Sequence, residues 1–148
     1  MRPAFVYIGL LAAFLIYPVS IPAQTAPKPT SVAALVKASR WQQRVLLLYA
    51  PTATDPALLR QQKLLRTVAP ELEARQLIVR ELLGSALPAA DARYLTQQLG
   101  MAPGGFAVVL IGKDGGVKKR ATQPLTPASL FATIDAMPMR QQEMRRQP

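Results

Sequence analysis

The sequence predicts an α/β domain in which a mixed four-stranded sheet carries helices on both faces. Residues 45–50 form a continuous apolar run, which is typical of a central strand buried on both sides. Further strand candidates alternate with amphipathic helical patterns, and such crossovers predict parallel pairing. An Asp-Gly pair at 114–115 tolerates the positive φ angles of tight turns, so it predicts a hairpin and an antiparallel edge strand.

The first half of the domain is predicted from its caps and its leucine spacing. Ser31 is expected to cap a short helix at 32–38, and Pro51 ends the strand at 45–50. A second helix opens at residues 54–56, where Asp55 or Thr54 is the N-cap and proline occupies the first turn. Its inward stripe consists of Leu58, Leu65, Val68 and Leu72, and its outer face of Arg60, Gln61, Lys63 and Arg66. We expect Pro70 to kink or interrupt this helix.

The second half completes the order β-α-β-α-β-β-α. The remaining elements are a strand at 76–83, a helix at 88–100, a strand at 106–112, a return strand at 117–120 and a helix at 127–137. Pro138 is expected to halt or bend the last helix before a basic tail. This order is that of the thioredoxin-like topology, with two crossovers followed by a hairpin.

The N-terminal segment has the layout of a secretory signal peptide. A basic start, an apolar run at 5–17, two prolines and a small residue at Ala23 predict a signal at 1–23. A disordered Pro-rich linker at 24–31, a domain at 32–144 and a basic tail at 145–148 would follow. The chain is therefore expected in the periplasm or outside the cell. The alternative is an uncleaved signal that anchors it in the inner membrane.

Missing residue types exclude most chemistry. The chain contains no cysteine and no histidine, so it cannot be a thiol oxidoreductase, a peroxidase or a Ser-His-Asp hydrolase. The usual zinc ligands are also missing. We therefore assign no catalytic residue, no cofactor site and no metal site from the sequence.

The charge balance predicts acidic partners. A formal net charge of +10 suits lipid phosphate, acidic polysaccharide of the envelope or an acidic protein, whereas export makes nucleic acid an unexpected partner. The alternative is that the charge serves only solubility. The densest basic residues predict one anion-binding surface if the tail folds beside the edge strand: Lys118, Lys119, Arg120, Arg140, Arg145 and Arg146. A solvated edge with a frayed tail is the alternative.

Two other residue groups have competing interpretations. Asp55, Asp114 and Asp135 would support a carboxylate-dependent hydrolase or isomerase if two of them converged in a pocket. The structural alternatives are that Asp55 caps a helix, Asp114 forms a turn and Asp135 forms an ion pair. Trp41 is expected to anchor the core, although with Arg40 and Arg44 it could stack on a ligand.

Three segments resemble a known bacterial family, domain of unknown function 4174. They are RVLLLYAP at 44–51, IGKDG at 111–115 and IDAMPMR at 134–140. The resemblance covers about residues 32–144, and related domains occur in vertebrate extracellular proteins such as equarin and the X-linked sushi-repeat protein. It implies a thioredoxin-like fold and an extracytoplasmic setting, without an established activity. In thioredoxin the reactive thiols lie where this chain has residues 52–56. The sequence thus favours an exported non-catalytic module that binds a protein partner or a polyanion.

Overall fold

The computed structural model describes residues 31–101 and 104–146, which form one four-stranded domain. Its elements are α1 (Val32–Ser39), β1 (Arg44–Ala50), α2 (Pro56–Arg66), α3 (Ala69–Ala74), β2 (Leu77–Leu83), a 3-10 turn (Gly84–Ala86), α4 (Ala89–Gln97), β3 (Ala107–Ile111), β4 (Val117–Ala121), α5 (Pro127–Asp135) and α6 (Pro138–Arg146). The predicted signal peptide, most of the predicted linker and the last two residues lie outside the described part. Within that part, no helix has the length and apolar character needed to span a bilayer.

The predicted sheet and its coverage by helices are confirmed. The strand order is β2-β1-β3-β4, with β1 parallel to β2 and both β1–β3 and β3–β4 antiparallel. All seven residues of β1 are buried. Because side chains alternate along a strand, Val45, Leu47 and Tyr49 join a core cluster with α1 and α4, whereas Leu46 and Leu48 join one with α2 and α5. The apolar run at 45–50 was therefore a reliable signal for the central strand.

The start of α2 follows the predicted capping chemistry. The Asp55 carboxylate accepts hydrogen bonds from the backbone N–H groups of Ala57 and Leu58, and Pro56 stands in the first turn. The interruption near Pro70 is also present, because α2 ends at Arg66 and α3 begins at Ala69.

Gln61 does not lie on the outer face of α2, so that assignment was wrong. It is fully buried, its amide nitrogen donates to the Leu125 carbonyl at 3.0 Å, and its amide oxygen accepts from the Leu125 N–H at 2.7 Å. Its side chain therefore satisfies both backbone groups of a loop residue that has no strand partner there. A glutamine in a polar helical pattern gives no sign of this pairing.

Two other expectations differ from the structure. Trp41 does not anchor the core, because 65 % of its surface is exposed in the turn between α1 and β1. This turn requires a left-handed residue, and Trp41 adopts a φ of 65° there. At the C-terminus, α5 ends at Asp135 and Pro138 begins α6, so Arg145 and Arg146 continue a helix instead of forming a separate tail. Proline is well suited to the first turn of a helix, which explains a restart where a stop was expected.

Candidate functional site

A cleft of about 860 Å³ opens where α2 begins, and we call it the α2 cleft. The end of β4, the loop before β3 and the first turn of α2 form its sides. It is lined by Asp55, Pro56, Ala57, Gly100, Met101, Gly104, Gly105, Phe106, Ala107, Val108, Val109, Arg120, Ala121, Thr122 and Gln123. Most of these side chains are apolar or absent, which is the usual lining of a binding cleft.

The charged groups of the α2 cleft already have partners. Asp55 caps α2, and Arg120 donates from Nε to the Leu99 carbonyl at 2.6 Å. Beside the cleft, Thr52 and Thr54 share a hydrogen bond of 3.2 Å between their hydroxyl groups. Residues 52–56 therefore perform turn and capping roles. None of these residues is a nucleophile paired with a general base.

A cluster of ion pairs occupies the opposite end of β1. Arg44 is only 1 % exposed, and its Nη1 and Nη2 atoms donate to the two Glu143 carboxylate oxygens at 3.2 Å each. The Lys113 ammonium lies 2.7 Å from the same carboxylate and also donates to the Gln76 side chain. Glu143 on α6 is thus held by buried Arg44 of β1 and buried Lys113 of the β3–β4 turn, and buried Arg140 lies 3.6 Å from the same carboxylate. Such an arrangement is costly to break, because these cations would then be left buried without their partner.

A second carboxylate extends these contacts. Arg75 donates to both oxygens of Asp135, at 3.0 and 2.7 Å, and Arg140 donates to one of them at 3.3 Å. Arg140 also donates to the Ala74 carbonyl at 3.1 Å. We call the six residues Arg44, Arg75, Lys113, Asp135, Arg140 and Glu143 the ionic cluster. It links α6 to α3, to α5 and to the start of β1.

The pKa values of these carboxylates are shifted by the cluster. Burial acts to raise the pKa of Asp135, but hydrogen bonds and charge from Arg75 and Arg140 outweigh it, so that pKa is lowered. For Glu143, burial again acts upward, and Lys113 and Arg44 bring the pKa below its ordinary value. Outside the ionic cluster, a hydrogen bond from Lys118, supported by the Gly116 N–H, lowers the pKa of Asp114. All three groups are therefore held as carboxylates.

The six residues predicted to bind anions do not share one surface. Lys118 pairs with Asp114 at 2.5 Å. Lys119 points to the other face of β4, where its ammonium contacts the hydroxyls of Ser129 at 2.9 Å and Thr133 at 3.3 Å. Arg120 returns to the first face, beside Leu99. Arg140 is buried in the ionic cluster, whereas Arg145 and Arg146 are exposed on α6.

The three aspartates are likewise not brought together as a catalytic pair. Asp55 follows the C-terminal end of β1. Asp114 follows β3, and because β3 is antiparallel to β1, it lies at the N-terminal end of β1. A seven-residue strand is about 20 Å long. Asp135 belongs to the ionic cluster, and its lowered pKa is the reverse of what a general acid requires.

Sequence reasoning missed the buried polar residues that organise the domain. Arg44 and Glu143 were not singled out as partners, although Glu143 lies one helical turn after Arg140. Asp91 was also missed: it is buried on α4 and accepts a hydrogen bond of 3.0 Å from the Val32 N–H at the start of α1. An arginine directly before an apolar run is the only signal for Arg44, and its partner lies 99 residues away.

The fold and the α2 cleft define a thioredoxin-like domain without thiols at the cleft. The family model for domain of unknown function DUF4174 matches residues 35–143. The chain therefore belongs to the DUF4174 family. Two residues of the IDAMPMR segment, Asp135 and Arg140, belong to the ionic cluster.

Curated relatives match much of the chain, and a solved structure shares its fold. The rat sushi repeat-containing protein SRPX is 30 % identical over 125 residues, covering 77 % of this chain and 27 % of the relative. Coiled-coil domain-containing protein 80 from Danio rerio is 27 % identical over 141 residues, covering 79 % of this chain and 16 % of the relative. The chain thus spans about a quarter or less of these relatives. The reduced 2-Cys peroxiredoxin of Plasmodium vivax is 13 % identical with a TM-score of 0.53, covering 73 % of this chain and 83 % of that one, which shows a shared fold.

Proposed function

We propose that this chain is an exported, non-catalytic thioredoxin-like module that binds a segment of a protein partner in the α2 cleft. The observation that carries the proposal is a large, mostly apolar cleft whose adjoining loop, residues 52–56, holds capping and turn residues instead of thiols. The chain has no cysteine or histidine with which to perform the redox chemistry of this fold. Export rests on the predicted signal at 1–23 and remains part of the proposal.

The chemistry of the cleft favours a protein segment over a small metabolite. Buried Met101 and Phe106 offer apolar contact, while Gly104 and Gly105 expose backbone at the rim. An extended peptide uses both features, because its side chains fill apolar pockets and its amides bond to exposed backbone.

Filling the cleft should abolish partner binding without disturbing the fold. Among the residues that the structure describes, no atom beyond the glycine's chain neighbours lies within 4 Å of the position that a Cβ would take on Gly105, so Gly105→Phe places a ring in open space. We expect the variant to fold normally and to lose at least about tenfold in affinity, because the ring occupies space that the partner needs. This loss corresponds to about 1.4 kcal/mol of binding free energy. Affinity would be measured by titration against the partner isolated with the wild-type chain. Ala33→Phe, on an exposed position of α1, is the matched control and should bind normally.

A second candidate function is the binding of an acidic polysaccharide. The net charge of +10 and the exposure of Lys118, Arg120, Arg145 and Arg146 favour it. Since these residues lie on β4 and α6 and Arg140 is buried, an acidic chain would have to be long enough to contact both elements. Such binding should weaken steeply with salt, because exposed charges are screened.

A further inference from the structure

The turn between α1 and β1 presents the one tryptophan of the chain in a costly conformation. Trp41 has a φ of 65°, in the left-handed region that favours glycine and asparagine, and its side chain is 65 % exposed. Neither folding nor solubility benefits from a large aromatic residue in such a place. Strained backbone clusters at functional sites, which makes Trp41 a candidate for a binding role.

The turn is held rigidly in this conformation. The Trp41 N–H donates to the Lys113 carbonyl at 2.7 Å. Arg40 donates from Nε and Nη2 to the Asp114 carbonyl, at 3.2 and 3.1 Å, and packs against Gly115. The indole is therefore presented by a backbone anchored to the β3–β4 hairpin, so little conformational entropy would be lost on binding.

Basic residues share the hairpin contacts of this turn: Arg40 bonds to the Asp114 carbonyl and Lys118 to the Asp114 carboxylate, while the Trp41 N–H bonds to Lys113. We call Lys37, Arg40, Trp41 and Lys118 the tryptophan corner; all four are exposed. Lys37 lies in the last turn of α1, and Lys118 projects beside the hairpin turn. With Asp114 as the neighbouring carboxylate, the corner has three positive charges against one negative charge. It lies at the end of β1 opposite to the α2 cleft and does not contribute to the lining of that cleft.

We propose that the tryptophan corner docks on an anionic lipid bilayer. An indole flanked by lysine and arginine matches the interface of such a bilayer, where the ring lies at the level of the headgroups and the cations meet lipid phosphate. Trp41 lies exposed in a turn, so its indole suits a flat surface better than an enclosed ligand. This inference goes beyond the proposed function and does not depend on it, because a bilayer at this end leaves the α2 cleft open.

Fluorescence of the full chain tests the proposal directly, because Trp41 is the only tryptophan. The chain would be reconstituted with vesicles of phosphatidylcholine alone or of an equimolar mixture with phosphatidylglycerol. The N-terminal apolar segment can associate with both, so only contact of the corner distinguishes them. We expect a blue shift and a loss of acrylamide quenching on the anionic vesicles alone, reversed by high salt.

Variants separate a docking role from a structural one. Lys37→Gln with Lys118→Gln should lose the blue shift, whereas the matched pair Arg60→Gln with Lys63→Gln, exposed on α2, should keep it. Trp41→Asn should fold with equal or higher thermal stability, because asparagine tolerates the left-handed region, and should sediment less with the anionic vesicles. Equal emission in both vesicle types would overturn the proposal. So would protection from acrylamide without vesicles, or a shift with heparin but not with lipid.

Discussion

Replacing Glu143 by glutamine should destabilise the domain by about 3 kcal/mol at neutral pH, because three buried cations then lose their shared carboxylate. Arg44 is 1 % exposed and Lys113 is 8 % exposed, so the variant would leave both cations buried opposite a neutral amide. Urea unfolding followed by circular dichroism measures the change. Glu73→Gln, on an exposed position of α3, is the control and should remain within about 0.5 kcal/mol of the wild type.

We also expect the stability difference between these two variants to depend on pH. The pKa of Glu143 in the folded chain lies below its ordinary value of 4.5, so the folded state favours the carboxylate. Its contribution to stability is therefore complete above the pKa of the unfolded chain and is lost as pH falls through the folded pKa. Between neutral pH and strong acid, the wild type and Glu73→Gln should lose stability along parallel curves. Glu143→Gln should show a shallower curve, and a curve parallel to the wild type would contradict the role of the ionic cluster.

The second large effect concerns the polyanion candidate. Replacing the exposed or part-exposed basic residues Lys118, Lys119, Arg120, Arg145 and Arg146 by glutamine lowers the formal net charge from +10 to +5, one unit for each residue. We expect retention on a heparin column to be lost while the free energy of unfolding changes by only about 1 kcal/mol, since exposed charges contribute little to folding. Arg140→Gln should do the reverse: it should cost about 2 kcal/mol in stability and leave most of the retention intact.

A control variant with the same net charge distinguishes binding by a specific surface from an effect of total charge. The second five-fold variant changes exposed basic residues elsewhere to glutamine: Lys37, Arg60, Lys63, Arg80 and Arg93. It has the same net charge of +5, again five units below +10. If β4 and α6 carry the binding, this control should be retained at higher salt than the first variant. Equal elution of the two variants would reject a specific surface and leave only net charge.

The sequence predicted the fold well because its signals are local or periodic. The apolar run of β1, the Asp55 cap and the Asp-Gly turn each act over a few residues, and they led to the correct sheet and family. Polar residues whose partners are distant in the chain were not predictable in this way. Gln61 meets Leu125 across 64 residues, and Arg44 meets Glu143 across 99. Their burial depends on how the helices dock, which no local pattern reports.

The candidate site was predicted only in part for a related reason. The α2 cleft was not predicted as a site, and only the absence of thiols from it followed from composition. The anion-binding surface was inferred from three adjacent basic residues on β4 and three more that a folded tail would bring beside them. Side chains alternate between the faces of a strand, however, so Lys118 and Lys119 point to opposite faces of β4. Trp41 was expected in the core because burial is usual for tryptophan, and the left-handed turn could not be seen without the backbone.

Photo-crosslinking in living cells tests the central claim, partner binding in the α2 cleft, most directly. A photoreactive phenylalanine analogue would replace Thr122, an exposed residue that lines the cleft, and, as a control, Arg60 on the outer face of α2. We expect illumination to give one discrete protein adduct from position 122, absent from position 60 and abolished when Gly105→Phe is added. Adducts of equal yield from both positions, or an adduct at 122 that persists with the cleft filled, would contradict the claim.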